Sequence, residues 1–193
     1  MTPERYKRLS EVLNHRQPDI TVVLENVFDP HNVSAVMRTC DAVGIQDVYI
    51  LNDRVPPAKK WGYRSSSTAS EWLTIHQYTD AELCFTHIKS RYHKIFTTHL
   101  GDDSREVFEL ELTGSVALVF GNETLGVSEH LLKYSDGNFI IPQVGIIKSL
   151  NISVACAVTL YEAFRQKKVA GHYLDSRLPD LKLRQIRDKW KLP

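Results

Sequence analysis

The sequence predicts an α/β protein organised around a largely parallel sheet. Three observations carry this. Short apolar runs rich in β-branched residues recur along the chain. They alternate with segments whose apolar residues repeat at helical spacing, and several of them empty into unusual polar stretches. Ligands of such sheets bind beyond the carboxyl ends of the strands, so those polar stretches are where chemistry belongs.

The elements follow in order. Residues 3–15 place Tyr6, Leu9 and Leu13 on one helical face. "ITVVLENV" (20–27) reads as a buried strand. Asp29-Pro30 then opens a helix, because an aspartate caps well and the fixed φ of proline suits the first turn. Its apolar stripe is Val33, Val36, Met37 and Cys40, and Gly44 is a natural stop. "DVYIL" (47–51) is the next strand. Residues 52–70, "NDRVPPAKKWGYRSSSTAS", form a long loop of a length that compact domains keep for function. A short strand at "WLTIH" (72–76) precedes a helix over 79–91. "KIFTTHL" (94–100), "SVALVFG" (115–121) and "NFIIP" (138–142) read as further strands. A long helix runs from Leu150 to Lys167, and a last one spans 179–190.

With 193 residues, 42% apolar and 24% charged, the chain suits one domain with short extensions. No apolar run reaches the length of a membrane span, and the charged "MTPERYKRLSEVLNHRQPD" is no secretion signal. Cys40, Cys84 and Cys156 are odd in number, far apart and without a C-x-x-C pair. They point to a reducing, cytoplasmic setting and to packed thiols. No Cys/His cluster has zinc spacing, so no metal is expected, and His99 and His130 read as incidental. The net charge of +1 hides an asymmetry: residues 165–193 hold nine Lys/Arg against three Asp, or +6, which leaves −5 for the rest. A basic tail suits an anionic partner; a solvated helix face would give the same count.

Three polar stretches stand out. In "NVFDPHNVSAVMRTCDAVG" (26–44), Arg38 lies nearly opposite the apolar stripe. By periodicity it is a solvent-facing arginine, and Asn32 is a first-turn residue. "FGNETLGVSEH" (120–130) is a glycine-bounded turn after a strand. A phosphate loop needs Lys then Ser/Thr where Val127 and Ser128 stand, and Glu123 repels phosphate, so a neutral or cationic ligand fits better. Ser128 also suits an ordinary helix cap. In "IPQVGIIKSLNISVACAVTLYEAF" (141–164), the loop is apolar apart from Gln143 and Lys148. Ser149 and Asn151 then start a helix, with Ser149 a good cap. An apolar surface loop of Val144, Gly145, Ile146 and Ile147 suits covering an adenine ring or packing in an interface. No G-x-G-x-x-G follows the first strand, which excludes the usual dinucleotide cradle.

Together and in this order, "NVFDPHNVSAVMRTCDAVG", "FGNETLGVSE" and "IPQVGIIKSLNISVACAVTLYEAFRQ" resemble the three motifs of the SpoU-type RNA 2′-O-ribose methyltransferases of the SPOUT superfamily. The flanks "RQPDITVVLENV", "THLGDDSREV" and "AGHYLDSRLP" are similar to its tRNA guanosine-2′-O-methyltransferase branch, and the likeness covers nearly the whole chain. It implies a Rossmann-like parallel-sheet domain ending in a deep trefoil knot, with short helical extensions. The boundaries are 1–18 for an RNA-binding extension, 19–168 for the methyltransferase domain and 169–193 for a basic extension. It also implies a homodimer and S-adenosylmethionine as cofactor.

On this resemblance Arg38, Asn32, Glu123, Ser149 and Asn151 are catalytic, while Thr98, Gly121, Ile141 and Leu150 contact the cofactor. The branch usually has Met and Gln where Gln143 and Lys148 stand, so the Lys148 charge bears on cofactor affinity or substrate preference. The reaction implied is 2′-O-methylation of tRNA at guanosine 18. The alternatives are ribosomal RNA, another tRNA nucleotide, or a non-catalytic RNA-binding knotted dimer. Guanidinium groups lose their proton only above about pH 12, so Arg38 is better suited to stabilising charge than to acting as a base. RNA is expected on Arg5 and Arg8, with Lys7 and Arg16, of the first helix. It is also expected on Lys59, Lys60 and Arg64 of the long loop, beside Trp61 and Tyr63, and on Arg165 and Lys168 of the tail.

Overall fold

In the computed structural model, residues 1–56, 69–101, 103–122, 126–147 and 149–193 are described. The elements, in chain order, are α1 (Pro3–Asn14), β1 (Ile20–Glu25), α2 (Pro30–Ala42), β2 (Asp47–Leu51), α3 (Ala69–Trp72), β3 (Thr74–Tyr78) and α4 (Ala81–Lys89). Then come β4 (Lys94–Thr98), β5 (Arg105–Glu106), a 3-10 turn (Val107–Glu109), β6 (Val116–Phe120), α5 (Glu129–Leu132), β7 (Gly137–Ile140), α6 (Ile152–Val169) and α7 (Asp180–Lys189).

The strands form one sheet in the order β3-β2-β1-β6-β4-β7-β5. Every pairing is parallel. All carboxyl ends therefore lie on one edge. The two latest strands insert among earlier ones: β6 lies between β1 and β4, and β7 between β4 and β5. All residues of β1, β2 and β6 are buried, as central parallel strands covered on both faces must be. One apolar layer joins Val36 and Cys40 of α2 to Cys156 and Leu160 of α6. The other packs Phe85 and Ile88 of α4 and Leu131 of α5 on the opposite face. The three thiols are buried in these layers and form no disulfide. A third cluster joins Leu13 of α1 to Ile186 and Trp190 of α7.

The departures from the sequence reading have local causes. β1 stops at Glu25, because Asn26 turns into the left-handed region with φ 50°. β3 starts two residues later than expected. Trp72 leaves the strand to meet Trp190 edge-on, with ring centroids 5.4 Å apart. α6 begins at Ile152, because Asn151 is its cap and accepts from the Ser153 amide at 2.8 Å. Ser149 is therefore not the cap. β5 and its 3-10 turn, only two and three residues long, were too short for periodicity to reveal.

The tail also differs. Arg16, expected on the RNA surface, is fully buried and donates to Asp41 Oδ1 at 2.6 Å. Lys167 and Arg177 both hold Asp19, at 2.9 and 3.1 Å. Lys182 reaches Asp47 at 2.9 Å, and Lys189 bonds the Leu73 carbonyl. Much of the tail's charge thus fastens α6 and α7 to the body instead of facing a partner. Asp47, buried at the amino end of β2, also receives His76 and Arg91. Burial opposes its ionisation, yet those bonds and the Lys182 charge prevail and hold the carboxyl well below the usual range.

Candidate functional site

A cavity of about 650 Å³ opens at the carboxyl ends of β4, β6 and β7. Its size suits a cofactor-sized ligand. Thr98, Gly121, Ile141 and Leu150, the four positions expected to contact cofactor, all line it, and so does Ser149. Thr98 ends β4 with its hydroxyl donating to the Val119 carbonyl at 3.2 Å. Phe120 and Phe139 form an apolar floor, with rings edge-on at 6.1 Å. Gly145 and Ile147 of the apolar loop also reach the cavity, while Val144 and Ile146 stay fully exposed.

The turn after β6 is closed by two reciprocal backbone bonds between Asn122 and Gly126, at 3.0 and 2.8 Å. Gly126 has φ +69°. A Cβ on Gly121 would sit 2.1 Å from the Gly126 carbon and the Val127 nitrogen. Glycine is thus required here by the close approach of the two sides of the turn. Glu123 lies outside the described residues, as do Lys59, Lys60, Arg64, Trp61, Tyr63 and Lys148.

Asn32 and Asn151, 119 residues apart in sequence, meet: Asn151 Nδ2 donates to Asn32 Oδ1 at 3.1 Å. The first turn of α2 and the cap of α6 are therefore joined beside the cavity residues Leu150 and Ile152. Arg38 is exposed on α2, one and two-thirds turns beyond Asn32. Arg5 and Arg8 are exposed on α1, and Arg165 and Lys168 on α6. Arg165 donates to the Glu162 carboxylate at 2.8 and 2.9 Å, so it is already engaged.

The sequence reading missed the residues that brace the turn from behind. Glu25, fully buried, accepts from the Ser128 amide at 2.9 Å through one oxygen and from Asn26 Nδ2 at 3.2 Å through the other. Asn26 also donates to Asp53 at 2.7 Å, and its carbonyl accepts from Asn122 Nδ2 at 2.9 Å. His130 is not incidental. Its Nε2 meets Asp53 Oδ2 at 2.9 Å and its Nδ1 meets Arg54 at 2.8 Å. Since Arg54 can only donate, Nδ1 accepts and the proton of the neutral ring sits on Nε2. Ser128 caps α5 without a side-chain bond; its amide serves Glu25 instead. A charged residue ending an otherwise apolar strand was the available signal for Glu25.

A parallel sheet with a cofactor-sized cavity at its carboxyl edge, walled by glycine-bounded and apolar loops, defines a ligand-binding α/β protein whose ligand is not held in a phosphate cradle. Comparison with known proteins narrows the class. Residues 19–161 match the SpoU rRNA Methylase family, and the chain belongs to it. It is 41% identical over 190 residues to a tRNA (guanosine(18)-2′-O)-methyltransferase of Thermus thermophilus, spanning 97% of this chain and 96% of that relative. The solved TrmH/SpoU tRNA modifying enzyme of Aquifex aeolicus superposes with a TM-score of 0.89 at 36% identity, covering 97% of this chain and 94% of the other. An AdoMet-bound rRNA methyltransferase from Sinorhizobium meliloti shares the fold, with a TM-score of 0.70 at 24% identity over 80% of this chain and 59% of that one.

Proposed function

We propose that this chain methylates the ribose 2′-hydroxyl of guanosine 18 in tRNA, using S-adenosylmethionine. One observation carries the reading. The four residues expected to contact cofactor line one cavity, and the third-segment residues beside it are hydrogen-bonded to the first segment through Asn151 and Asn32. The relatives named above add the substrate.

The cavity fits the cofactor chemically. Its floor is aromatic and aliphatic, as an adenine requires, and among the described residues its lining holds no lysine or arginine to repel a sulfonium. S-adenosylmethionine would supply an electrophilic methyl group there. The chain must then orient the hydroxyl, stabilise the negative charge that grows on its oxygen, and let the proton leave. Arg38 binds the phosphate beside the target ribose and stabilises that charge through its fixed guanidinium. Asn32 positions the ribose, and Asn151 orients Asn32. Ser149 and Glu123 shape the pocket around the donor.

We also assign a C-terminal trefoil knot and a homodimer to this chain. The insertion of β6 and β7 among earlier strands supports the first. The second is supported by the open face of α6, where Val154 and Tyr161 are 47% and 54% exposed. The division at 1–18, 19–168 and 169–193 is retained, with Arg5, Arg8, Arg165 and Lys168 as RNA contacts. Buried, unpaired thiols fit a reducing cytoplasm.

Methyl transfer from labelled S-adenosylmethionine to tRNA transcripts tests the reading, with product mapped by mass spectrometry. Label is expected at guanosine 18 and absent when that residue is 2′-deoxyguanosine. Methylation at another nucleotide, or none, refutes it. Arg38→Lys should keep a measurable fraction of the rate that Arg38→Ala loses; equal loss would show that charge alone is not the role of Arg38.

A further inference from the structure

A second cavity, about 330 Å³, lies at the far end of α2 from Asn32, roughly 15 Å away along the helix axis. It is enclosed by α1, the end of α2, the last turns of α6 and the segment that follows. Two aromatic rings form its wall. Phe164 and Tyr173 are half-buried, their centroids 4.9 Å apart and their planes at 55°. Cations stand at its rim. Arg8 projects from α1 with 76% of its side chain exposed, in a long, solvent-screened pair with Glu11 at 4.0 Å, and Lys168 projects from α6 with its ammonium 5.7 Å from the Phe164 centroid. His15 lies on the same rim. The acid facing this space, Asp41, is bound by the buried Arg16 guanidinium at 2.6 Å, so the rim is left net positive. The Tyr173 hydroxyl donates to the Val43 carbonyl at 2.8 Å, which fixes that ring in place.

We propose that this cavity takes one unstacked nucleotide of the RNA substrate. The base lies against the Phe164–Tyr173 wall, and its phosphate sits between Arg8 and Lys168. The inference rests on the RNA reading above and deepens it. An aromatic wall flanked by cations matches a nucleotide on both counts. Every base offers a π face for stacking, which needs no particular sequence, and each phosphate offers a charge for Arg or Lys. The volume suits a single nucleotide and not a duplex. Asn32, which positions the ribose, lies roughly 15 Å away along α2, with Arg38 between the two, so the site holds RNA and takes no part in methyl transfer.

Stacking and charge leave different signatures, and the test uses both. Binding of the full-length protein to tRNA is measured by fluorescence anisotropy across a salt series. Phe164→Leu should weaken binding about tenfold at every salt concentration and leave the slope of log K against log salt unchanged. Arg8→Gln with Lys168→Gln should flatten that slope by about 0.7, the share of the one phosphate that both cations hold on single-stranded RNA. Unchanged cofactor affinity by calorimetry and a single cooperative melting transition show that Phe164→Leu is folded, even though loss of packing against the core lowers its melting temperature. As a check that needs no variant, the wild-type protein is photo-cross-linked to tRNA transcribed with 4-thiouridine. Peptides carrying Phe164 or Tyr173 should be among the adducts. Cross-links confined to other peptides, or tRNA affinity of Phe164→Leu within twofold of wild type, overturn the proposal. All of these read binding, so a protein that holds RNA here yet transfers no methyl group would sink the function above and leave this site standing.

Discussion

Replacing Gly121 by alanine is the sharpest probe of the cavity. The added Cβ would lie 2.1 Å from two backbone atoms and 2.2 Å from a third, the Gly126 carbonyl oxygen. Ordinary contact begins at 3.4 Å, and the atoms in the way are backbone, so no rotamer change relieves the overlap; the turn must retreat by more than 1 Å. That displacement breaks the two Asn122–Gly126 bonds, each worth about 1 kcal/mol. Overpacking of this kind costs about 1–3 kcal/mol in general, and a backbone obstacle places the cost at the upper end, about 3 kcal/mol. The expected fall in melting temperature is roughly 6–12 °C for a chain of this size. Because the displaced turn walls the cavity, S-adenosylmethionine affinity should fall by at least about thirtyfold, or 2 kcal/mol. Calorimetric titration of the cofactor into folded protein, with a parallel melting scan, measures both. A Gly121→Ala protein that melts as wild type and binds cofactor within a factor of two would refute both the packing argument and the assignment of the cavity.

Asp47→Asn removes a buried charge that faces three cationic or basic partners. It should cost about 2–3 kcal/mol, less than a fully buried pair because Lys182 and Arg91 are partly exposed. The folded carboxyl is held low, so its stabilisation is fully present above the ordinary aspartate range near 4 and is lost as pH falls towards the folded value. Denaturant titrations from pH 6 to 3 should therefore show wild type losing more stability than Asp47→Asn; parallel curves would contradict the sign. Glu25→Gln keeps one acceptor where two donors point, so one donor is left facing an amide NH2. Stability should drop by about 1.5–3 kcal/mol, with weaker cofactor binding, and unaltered calorimetric affinity would show that the bracing does not reach the turn. Asn151→Ala loses the α6 cap, about 1 kcal/mol by thermal melting, and with it the bond to Asn32. Its kcat should fall more than cofactor affinity does, and an unchanged kcat would remove Asn32 positioning from the mechanism.

The sequence by itself determined the layout of the chain. The alternation of apolar runs with helical stripes is enough for a parallel α/β sheet, because a strand buried on both faces must be apolar throughout. Asp29-Pro30 and Gly44 bounded α2 because capping and positive φ act within a few residues, with no help from the rest of the fold. The order of the three polar segments is written in the chain and carried the resemblance to a known family, and Gly121, Ile141 and Leu150 from two of them line one cavity with Thr98. Only the tertiary structure decided which charges face outward. Arg16 and Lys167 look like surface cations in one dimension, yet Asp41 and Asp19, 25 and 148 residues away, draw them inside. Nor could local pattern join Asn32 to Asn151, or Glu25 to the Ser128 amide 103 residues on. Helical and strand preferences are local energies and can be read along the chain. The partner of a buried polar group is set by strand order, and β6 settling beside β1 is what carried Ser128 to Glu25.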